Sequence, residues 1–386
     1  MPAWWLRKAP SAAEAPVPVS GLRILFVTQY GVLAASSRTR VFDYLPSIRA
    51  AGHECEVITV LPDAQIGGSQ ILVTRQVLRK LLYYAWALGR TLLCGLRVLA
   101  VARRSDLVFV QKVIFPSVIR RLLARVKTPF IYDFDDAIFT TEVRQANWLA
   151  ARKQERNARG MPAMLRMADL ALVENQYTER FAREHCRRVE IITGPIDTQR
   201  YAPGPERTRA DSVVLGWIGS ASTLPYLEAL CPALEEIGQR FDHVCLHVVG
   251  AREFALTNMP VETKAWSLDS EVGDLRLFDI GLMPIPDDVW TRGKGGYKLL
   301  QYMAVGLPVI TSPVGINCQI VEDGKDGFWA RAHGEWVERM ADLVADAPLR
   351  RQMGQAGRAK MEDIYSLEKA REKLLALMGE TASGTP

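Results

Sequence analysis

The chain has 386 residues, more than a single hydrophobic core usually accommodates, so its length predicts two domains. Apolar residues make up 48% and charged residues 24%, a composition that excludes a disordered or fibrous chain. The formal net charge of +5 is too small by itself to indicate nucleic-acid binding. The six cysteines show no CxxC spacing and the five histidines no HxH or HExxH pattern, so we expect neither a metal site nor a disulfide framework.

The first segment, residues 1–21, has a Pro- and Ala-containing composition that predicts a loose N-terminal tail. It contains no apolar stretch of the length that a secretory signal needs. No apolar run reaches the roughly 18 uncharged residues that span a bilayer. Scattered cysteines are typical of a reducing compartment. These features predict a cytoplasmic protein that is soluble or bound peripherally to a membrane.

Short apolar runs alternate with helical or loop stretches, the pattern of βαβ units in a parallel sheet. The first series predicts strands at 22–28, 53–60, 106–112, 129–135, 169–175 and 189–194. A charged, Pro-containing stretch, 195–212, then has the composition of a linker. The second series predicts strands at 213–219, 244–250, 277–285 and 308–315, and the chain is helical from about residue 335.

The predicted fold is therefore α/β, with two tandem Rossmann-like domains that face a central cleft. The expected boundaries are 22–197 for the N-terminal domain, 198–365 for the C-terminal domain and 366–386 for a final helix and tail. Ligands of such sheets bind beyond the carboxyl ends of the strands. The site should therefore be formed by the loops that follow residues 28, 135, 219, 285 and 315.

The loop after the first strand, residues 28–40, lacks a GxGxxG fingerprint, which argues against an NAD-dependent oxidoreductase. Gly31 would let a ligand approach the backbone closely. Arg38 and Arg40 stand at a predicted helix start, where they could hold a phosphate or a carboxylate. A solvated helix start is an equally good interpretation of both arginines.

The loop after the seventh predicted strand is a candidate anion site. Gly219 and Ser220 lie between a strand and a helix N-terminus, where free backbone amides and the helix dipole attract negative charge. A plain N-cap formed by Ser222 or Thr223 is the alternative, and on spacing alone it is the better one.

The stretch 279–315 carries the most information. Its basic side chains alternate with glycines directly before a predicted helix; these residues are Arg292, Gly293, Lys294, Gly295, Gly296 and Lys298. Such a flexible basic loop can wrap a diphosphate with backbone amides and cationic side chains together.

This stretch resembles the second-domain signature of the GT-B glycosyltransferases, specifically the large family-4 group. The segments WIGS (217–220), PIDTQRYAP (195–203), VEDGKDGFW (321–329) and FIYDFDDAIF (130–139) are also similar to that group. The resemblance implies transfer of a sugar from a nucleotide-activated donor, with retention of the anomeric configuration and without a metal or other cofactor. It places the donor against the second domain and the acceptor against the first, near Gly31, Arg38 and Arg40.

Two positions depart from the pattern of the family. Many members carry two glutamates eight residues apart, and alignment on the YMAVG segment places Gly293 and Gln301 at these positions. The resemblance implies a ribose contact for the second position, and Gln301 can still hydrogen-bond a hydroxyl. Glu322 is a further candidate for the ribose, although a polar turn ending in Gly324 explains it equally well. Lys294 and Lys298 would then neutralise the diphosphate.

The carboxylates of YDFDDA (132–137) permit several interpretations. They contain a DxD, which binds a metal in GT-A glycosyltransferases, but the tandem Rossmann pattern favours GT-B. We interpret Asp135 and Asp136 as catalytic groups of the acceptor side that orient an acceptor hydroxyl or take its proton. A helix N-cap is the compatible alternative.

Residues 64–105 contain no Asp or Glu but seven arginines and lysines. In a helix over 75–104, Arg75, Arg79, Arg90, Arg97 and Arg104 share one stripe together with Trp86 and Leu93. The opposite side carries Val77, Leu81, Leu88, Leu92 and Leu99. This pattern is typical of a helix on an anionic membrane surface. A crossover helix that packs its leucines on the sheet is the alternative, and Gly89 or Gly95 could interrupt the helix.

The sequence thus predicts a glycosyltransferase at the inner face of the membrane, acting on a lipid-linked or glycan acceptor in cell-surface polysaccharide or glycolipid biosynthesis. Lys298 is the predicted catalytic cation. The alternative is a degenerate, non-catalytic GT-B module that binds a nucleotide sugar or a protein partner. A nucleotide-sugar epimerase has less support, since no histidine and carboxylate arrangement is present for it.

Overall fold

The computed structural model describes residues 21–63, 77–140, 148–205, 212–251 and 253–384. The predicted N-terminal tail, except for Gly21, lies outside the described residues, and so does the middle of the predicted linker, 206–211.

The first domain is built on a six-stranded parallel sheet with the order β2-β1-β3-β4-β5-β6. Its strands are β1 (Arg23–Tyr30), β2 (Glu54–Leu61), β3 (Leu107–Gln111), β4 (Phe130–Phe134), β5 (Leu170–Val173) and β6 (Val189–Ile191). Its helices are α1 (Ala35–Ser37), which continues into a π-helical turn (Arg38–Phe42), α2 (Leu45–Ala50), α3 (Val77–Ala102), α4 (Ser117–Leu123), α5 (Trp148–Leu165) and α6 (Gln176–Arg183).

The second domain repeats this architecture with the strand order β12-β11-β10-β7-β8-β9, again parallel throughout. Its strands are β7 (Val213–Ile218), β8 (Val244–Val249), β9 (Val261–Lys264), β10 (Ile280–Met283), β11 (Val309–Thr311) and β12 (Gly327–Trp329). Its helices are α7 (Leu224–Glu228), α8 (Cys231–Arg240), α9 (Glu271–Leu275), α10 (Val289–Arg292), α11 (Tyr297–Ala304), α12 (Asn317–Ile320), α13 (His333–Ala345) and α14 (Ala347–Asp363).

All ten predicted strands are present, and the prediction of a doubly wound α/β fold with two domains is confirmed. The sequence analysis missed β9 and β12. The first reads VETK, with exposed Glu262 and Lys264, and the second has three residues, so neither forms an apolar run.

The chain crosses between the domains twice, and the two crossings lie side by side. The Ile196 amide donates to the Tyr365 carbonyl at 2.9 Å, and the Leu367 amide donates to the Ile196 carbonyl at 2.9 Å. The last helix, α15 (Leu367–Ala382), is capped by Ser366, the first residue of the predicted final segment. It packs Leu374 and Leu377 into the core of the first domain. The final helix therefore returns to the first domain.

Helix α3 runs unbroken through Gly89 and Gly95, so the predicted interruption does not occur. Its C-terminal half packs on the first sheet through Cys94, Val98 and Leu99. The predicted inward leucine side is buried only there, because Leu81, Leu88 and Leu92 are all exposed. Within the described residues, Leu81–Ala102 is long and apolar enough to cross a membrane, with a mean hydropathy of 1.4 and one third of the segment buried.

Candidate functional site

The loops at the carboxyl ends of β7 and β8 form one wall of the cleft. The Gly219 amide donates to the Val249 carbonyl at 2.9 Å, and the Ser220 amide donates to Oγ1 of Thr223 at 3.1 Å. The two amides predicted to bind an anion are therefore already engaged within the protein. The amides of Ala221 and Ser222 have no acceptor among the described residues and are the available donors of this loop.

Gly219 is required by packing. A Cβ on this residue would lie 2.1 Å from the Trp217 ring and 2.8 Å from Nζ of Lys298. The absence of a side chain thus brings the Lys298 ammonium directly beneath the β7 loop.

Lys298 is a partly buried cation of the second domain. Its Nζ lies 4.2 Å from the centroid of the buried Trp217 ring, a cation–π contact. No carboxylate pairs with it in the described part of the chain. Burial and the nearby Lys294 lower the pKa of Lys298 to about 7. An unpaired ammonium whose charge is disfavoured is a ready partner for an anion.

The basic loop, residues 292–296, connects α10 to α11. Asp288 caps α10, and Gly296 has a φ of 67°, which turns the chain into α11. Lys294 points its Nζ to within 5.9 Å of the Trp290 ring centroid and, like Lys298, has no carboxylate partner in the described ranges. Arg292 differs from them, since it is exposed and binds Asp287 at 2.6 Å.

The first domain docks onto the basic loop. Nδ2 of Asn175 donates to the Lys294 carbonyl at 2.9 Å. A Cβ on Gly295 would lie 2.2 Å from Oε1 of Glu174, and one on Gly293 would lie 2.5 Å from the Ala137 Cβ. Gly293 thus occupies the family position of a glutamate because the two domains touch there.

Arg40 belongs to a buried ion-pair cluster. Its Nε donates to Asp133 at 3.0 Å, and its Nη1 donates to Glu174 at 2.9 Å and to the Ile192 carbonyl. The side chain is 3% exposed. The sequence analysis placed Arg40 where it could hold a phosphate or carboxylate; its carboxylates are the protein's own, so it is not open to an acceptor.

Arg38 crosses from the first domain to the second. Its Nη2 lies 3.8 Å from Glu271, and its guanidinium lies 5.9 Å from the Trp266 ring centroid. Glu271 also accepts from Trp266 Nε1 at 2.6 Å and from the Tyr201 hydroxyl. Arg38 is 1% exposed. Both interpretations from the sequence, a solvated helix start and an open anion site, are therefore wrong for Arg38.

Gln301 joins this network in the second domain. It is 4% exposed, and its Nε2 donates to the Tyr201 hydroxyl at 3.3 Å. The amide is thus turned toward the domain core. Glu322 lies apart from it, exposed and paired with Lys325 at 2.8 Å in a turn where Gly324 has a φ of 79°. That geometry matches the polar-turn interpretation of Glu322.

Gly31 packs against a carboxylate of the first domain. A Cβ on this residue would lie 2.3 Å from Oδ1 of Asp63. The Asp63 carboxylate accepts from the amides of Val32 and Leu33, each at 3.1 Å. Gly31 therefore makes room for a carboxylate of its own chain.

Asp135 and Asp136 share one cation. Nζ of Lys112 lies 2.8 Å from Asp135 Oδ1 and 2.6 Å from Asp136 Oδ2, and these carboxylates raise the pKa of Lys112. No described helix begins at these residues, since α5 starts at Trp148, so the N-cap interpretation is wrong for the described residues. Ala137 follows directly and lies against Gly293, which puts the pair beside the basic loop.

A cavity of about 240 Å³ lies between the domains on the other side of the basic loop. The first domain contributes Asn175 and the start of α6, and the second domain contributes the loops after β10 and β11. The lining residues are Asn175, Gln176, Tyr177, Arg180, Asp287, Arg292, 313–316 and Gln319. These second-domain residues follow β10 and β11, on the side of β7 opposite to β8.

Comparisons with known proteins show what this chain is similar to. Residues 290–360 match the family model described as glycosyl transferases group 1. A D-inositol 3-phosphate glycosyltransferase of Kribbella flavida is 25% identical over 194 residues, 44% of this chain and 46% of that protein. The chain spans less than half the length of the curated relatives it matches.

Solved structures match along nearly the whole chain. Sucrose-phosphate synthase from Thermosynechococcus elongatus aligns with a TM-score of 0.70 at 13% identity, over 94% of this chain and 100% of that one. HepE of Anabaena, in complex with UDP, aligns with a TM-score of 0.60 at 16% identity, over 94% and 100%. The chain has the GT-B fold. The predicted resemblance to GT-B glycosyltransferases is confirmed, and the GT-B cleft contains the basic loop on one side and Asp135 and Asp136 on the other.

Sequence reasoning missed the partners of the predicted site residues: Lys112, Glu174, Asn175, Trp217 and Glu271. The signal for Glu174 and Asn175 was available, because they end the fifth predicted strand, at the edge where loops form a site. The others need the tertiary structure, since a lysine after a strand or a tryptophan within one is typical of many folds.

Proposed function

We propose that the protein is a glycosyltransferase that moves a sugar from a nucleotide-sugar donor, with the donor diphosphate bound between the β7 loop and the basic loop. One observation carries this proposal: the Lys298 ammonium is partly buried beneath Gly219 without a carboxylate partner among the described residues. The available amides of Ala221 and Ser222 and the cation of Lys294 complete an anion site.

The comparisons support this proposal in two ways. The family match covers 290–360 and so includes the basic loop and α11. The HepE neighbour is described in complex with UDP and also with UDP-glucose, so a protein of this fold binds a nucleotide sugar. Gln301 is buried against Tyr201, so it offers no contact that would select the base or the sugar of the donor.

In the proposed reaction the bond between the anomeric carbon and the diphosphate oxygen breaks, and a bond to the acceptor oxygen forms. Lys294 and Lys298 stabilise the negative charge that develops on the departing diphosphate, the task a metal performs in other enzymes. A carboxylate of the Asp135–Asp136 pair orients the acceptor hydroxyl and accepts its proton. We infer retention of configuration from the family resemblance.

The acceptor is proposed to enter through the cavity between α6 and the loops after β10 and β11. The second-domain lining of this cavity follows β10 and β11, which lie one and two strands from β7, about 5–10 Å along the sheet edge. In this proposal the donor diphosphate and the acceptor therefore occupy opposite sides of the basic loop. Its lining suits a polar acceptor, because Gln176, Gln319 and Tyr177 offer amide and hydroxyl groups.

A membrane surface is proposed as the second partner. Helix α3 exposes Leu82, Trp86 and Leu93. Arg97 and Arg104 are exposed at the same helical periodicity and share Glu56 as their ion-pair partner, at 3.2 and 3.3 Å. Since Val98 and Leu99 are packed in the core of the first domain, the helix lies on the bilayer and does not cross it. This position suits a lipid-linked acceptor in polysaccharide or glycolipid synthesis.

Calorimetric titration of the full chain with UDP, GDP, ADP and dTDP tests the diphosphate site. We expect one of them to bind wild type, and Lys298→Met to weaken that binding at least tenfold. Loss of the charge should not unfold the protein, because methionine keeps the packing on Trp217. Lys325→Met, at an exposed lysine paired with Glu322, is the matched control. Equal binding by Lys298→Met and wild type would place the diphosphate elsewhere.

Turnover of the nucleotide-sugar donor in the presence of a membrane extract distinguishes the enzyme from the alternative, a module that binds the nucleotide sugar without catalysis.

Flotation with vesicles of phosphatidylglycerol and phosphatidylcholine tests the membrane surface. Wild type should bind at low salt, and Leu82→Asp with Leu93→Asp should abolish binding while leaving nucleotide affinity unchanged. Absence of wild-type binding would exclude the membrane role.

A further inference from the structure

The basic loop is shaped by the first domain, although it belongs to the second. Asn175, at the end of β5, donates from Nδ2 to the Lys294 carbonyl at 2.9 Å and to the Arg292 carbonyl at 3.5 Å. The Glu174 carboxylate packs against the Cα of Gly295. Both contacts reach the backbone of the loop, so they define its path whatever its side chains are.

Both first-domain residues are held rigidly. Oδ1 of Asn175 caps α6 by accepting from the amides of Tyr177 at 2.9 Å and Thr178 at 3.0 Å, so the opposite face of the amide must point at the loop. Glu174 accepts from Arg40 at 2.9 Å and from the Gly194 amide at 2.6 Å. Gly194 lies two residues before Ile196, where the chain first crosses between the domains. Glu174 therefore contacts both the start of this crossing, at Gly194, and the basic loop, at Gly295.

The loop needs such support because its Lys294 lies near Lys298 of α11 and the two cations repel each other. The charge of Lys294 helps to lower the pKa of Lys298, which means that the two ammonium groups disfavour each other in this arrangement. Without an anion between them, a free loop would relax so as to separate the charges. The contact with Asn175 opposes this relaxation.

We propose that Asn175 is a positioning residue for the donor diphosphate: its hydrogen bond to the Lys294 carbonyl holds the basic loop in the conformation that binds the diphosphate, which makes diphosphate affinity depend on docking of the first domain. The inference rests on the proposed function. Glu174 and Gly295 supply the close packing that makes docking of the domains and ordering of the loop one event.

The substitution Asn175→Ser isolates this hydrogen bond. Serine keeps the N-cap of α6, so folding is preserved, but its short side chain does not reach the Lys294 carbonyl. Asn175→Asp also keeps the cap and presents a carboxylate, which cannot donate, to two carbonyls. Asp346→Ser, a change of one capping residue for another at the start of α14 in the second domain, is the matched control.

The first measurement compares the Kd of the nucleoside diphosphate that wild type binds most tightly with the Kd of its nucleoside. Asn175→Ser should weaken the diphosphate about fivefold, the effect of one neutral hydrogen bond, and Asn175→Asp more. The nucleoside should bind equally to all variants, because it does not touch the loop. A purely structural role would weaken both ligands and lower Tm together, and this outcome would overturn the proposal.

The second measurement needs no ligand. Hydrogen exchange of the free protein should show faster exchange in Asn175→Ser at the hydrogen-bonded amides on either side of the loop, those of Gly293, Lys294 and Leu299, with the β-strands unchanged. If wild type binds no nucleoside diphosphate of the panel, the proposed function fails and the inference falls with it. If wild type binds one and Asn175→Ser matches it in affinity and exchange, the inference alone is wrong.

Discussion

Gly293 and Ala137 touch across the cleft: a Cβ on Gly293 would lie 2.5 Å from the Ala137 Cβ and 2.9 Å from the Ala137 nitrogen. The position at which many family members carry a glutamate is therefore a point of domain contact in this chain. The closed arrangement leaves no room at this position for a glutamate side chain.

We expect Gly293→Ala to separate the domains because backbone atoms cannot give way to the new methyl group. The cost of such overpacking is about 1–3 kcal/mol. The domains can escape it by opening, so small-angle scattering should show a larger radius of gyration with little change in Tm. Gly334→Ala, where a Cβ meets no atom within 4 Å, is the control. An unchanged radius in Gly293→Ala would contradict the contact.

Diphosphate binding should take up a proton at pH 8. The pKa of Lys298 is lowered to about 7, so most of the free protein carries the neutral amine at that pH. A bound diphosphate favours the charged form and raises this pKa. The binding enthalpy measured by calorimetry should therefore vary with the ionisation enthalpy of the buffer at pH 8.

Lys298→Arg provides the control for that measurement, because a guanidinium stays charged throughout. At pH 8 the binding enthalpy of Lys298→Arg should depend less on the buffer than that of wild type, because the arginine takes up no proton. If wild type and Lys298→Arg show the same buffer dependence at pH 8, the proton enters at another group.

Arg40→Met should destabilise the first domain strongly. Arg40 is the guanidinium that faces both Asp133 and Glu174, which are 0% and 3% exposed, and its removal leaves two buried carboxyl groups without their cation. Breaking such a buried pair costs about 3–5 kcal/mol. Urea unfolding followed by circular dichroism measures the loss. Arg183→Met removes an exposed pair with Glu179 and should cost under about 1 kcal/mol.

Stability should fall as the pH rises from about 5 to 8, and Glu174 should account for part of this fall. Burial raises the pKa of Glu174 to about 8, and the attraction of Arg40 for the ionised form opposes this only in part. The folded state then holds a proton that the unfolded chain has already released, so deprotonation favours unfolding. Glu174→Gln should flatten the dependence of Tm on pH in this range. If the Tm of Glu174→Gln falls with pH as steeply as that of wild type, other groups cause the loss of stability.

The strands and the two-domain organisation could be predicted from sequence because they depend on local patterns. Buried parallel strands such as LVFVQ (107–111) are apolar on both faces and stand out in a single window. The basic loop stood out for the same reason, since glycines and cations alternate within a few residues. Strand β9 was not predicted because its VETK sequence lies at a sheet edge, where apolar side chains are not required.

The partners of each charged residue could not be predicted in this way. Arg40 meets Asp133 and Glu174 across 93 and 134 residues of sequence, and the same residue types would suit an external phosphate equally well. Lys298 shows the opposite case, because its lack of a carboxylate partner among the described residues is a property of the whole neighbourhood. The sequence by itself determined which loops meet and which charges they bring. Only the tertiary structure decided which charges neutralise one another and which remain for a ligand, because Coulomb energies depend on distances between elements that are far apart in the chain.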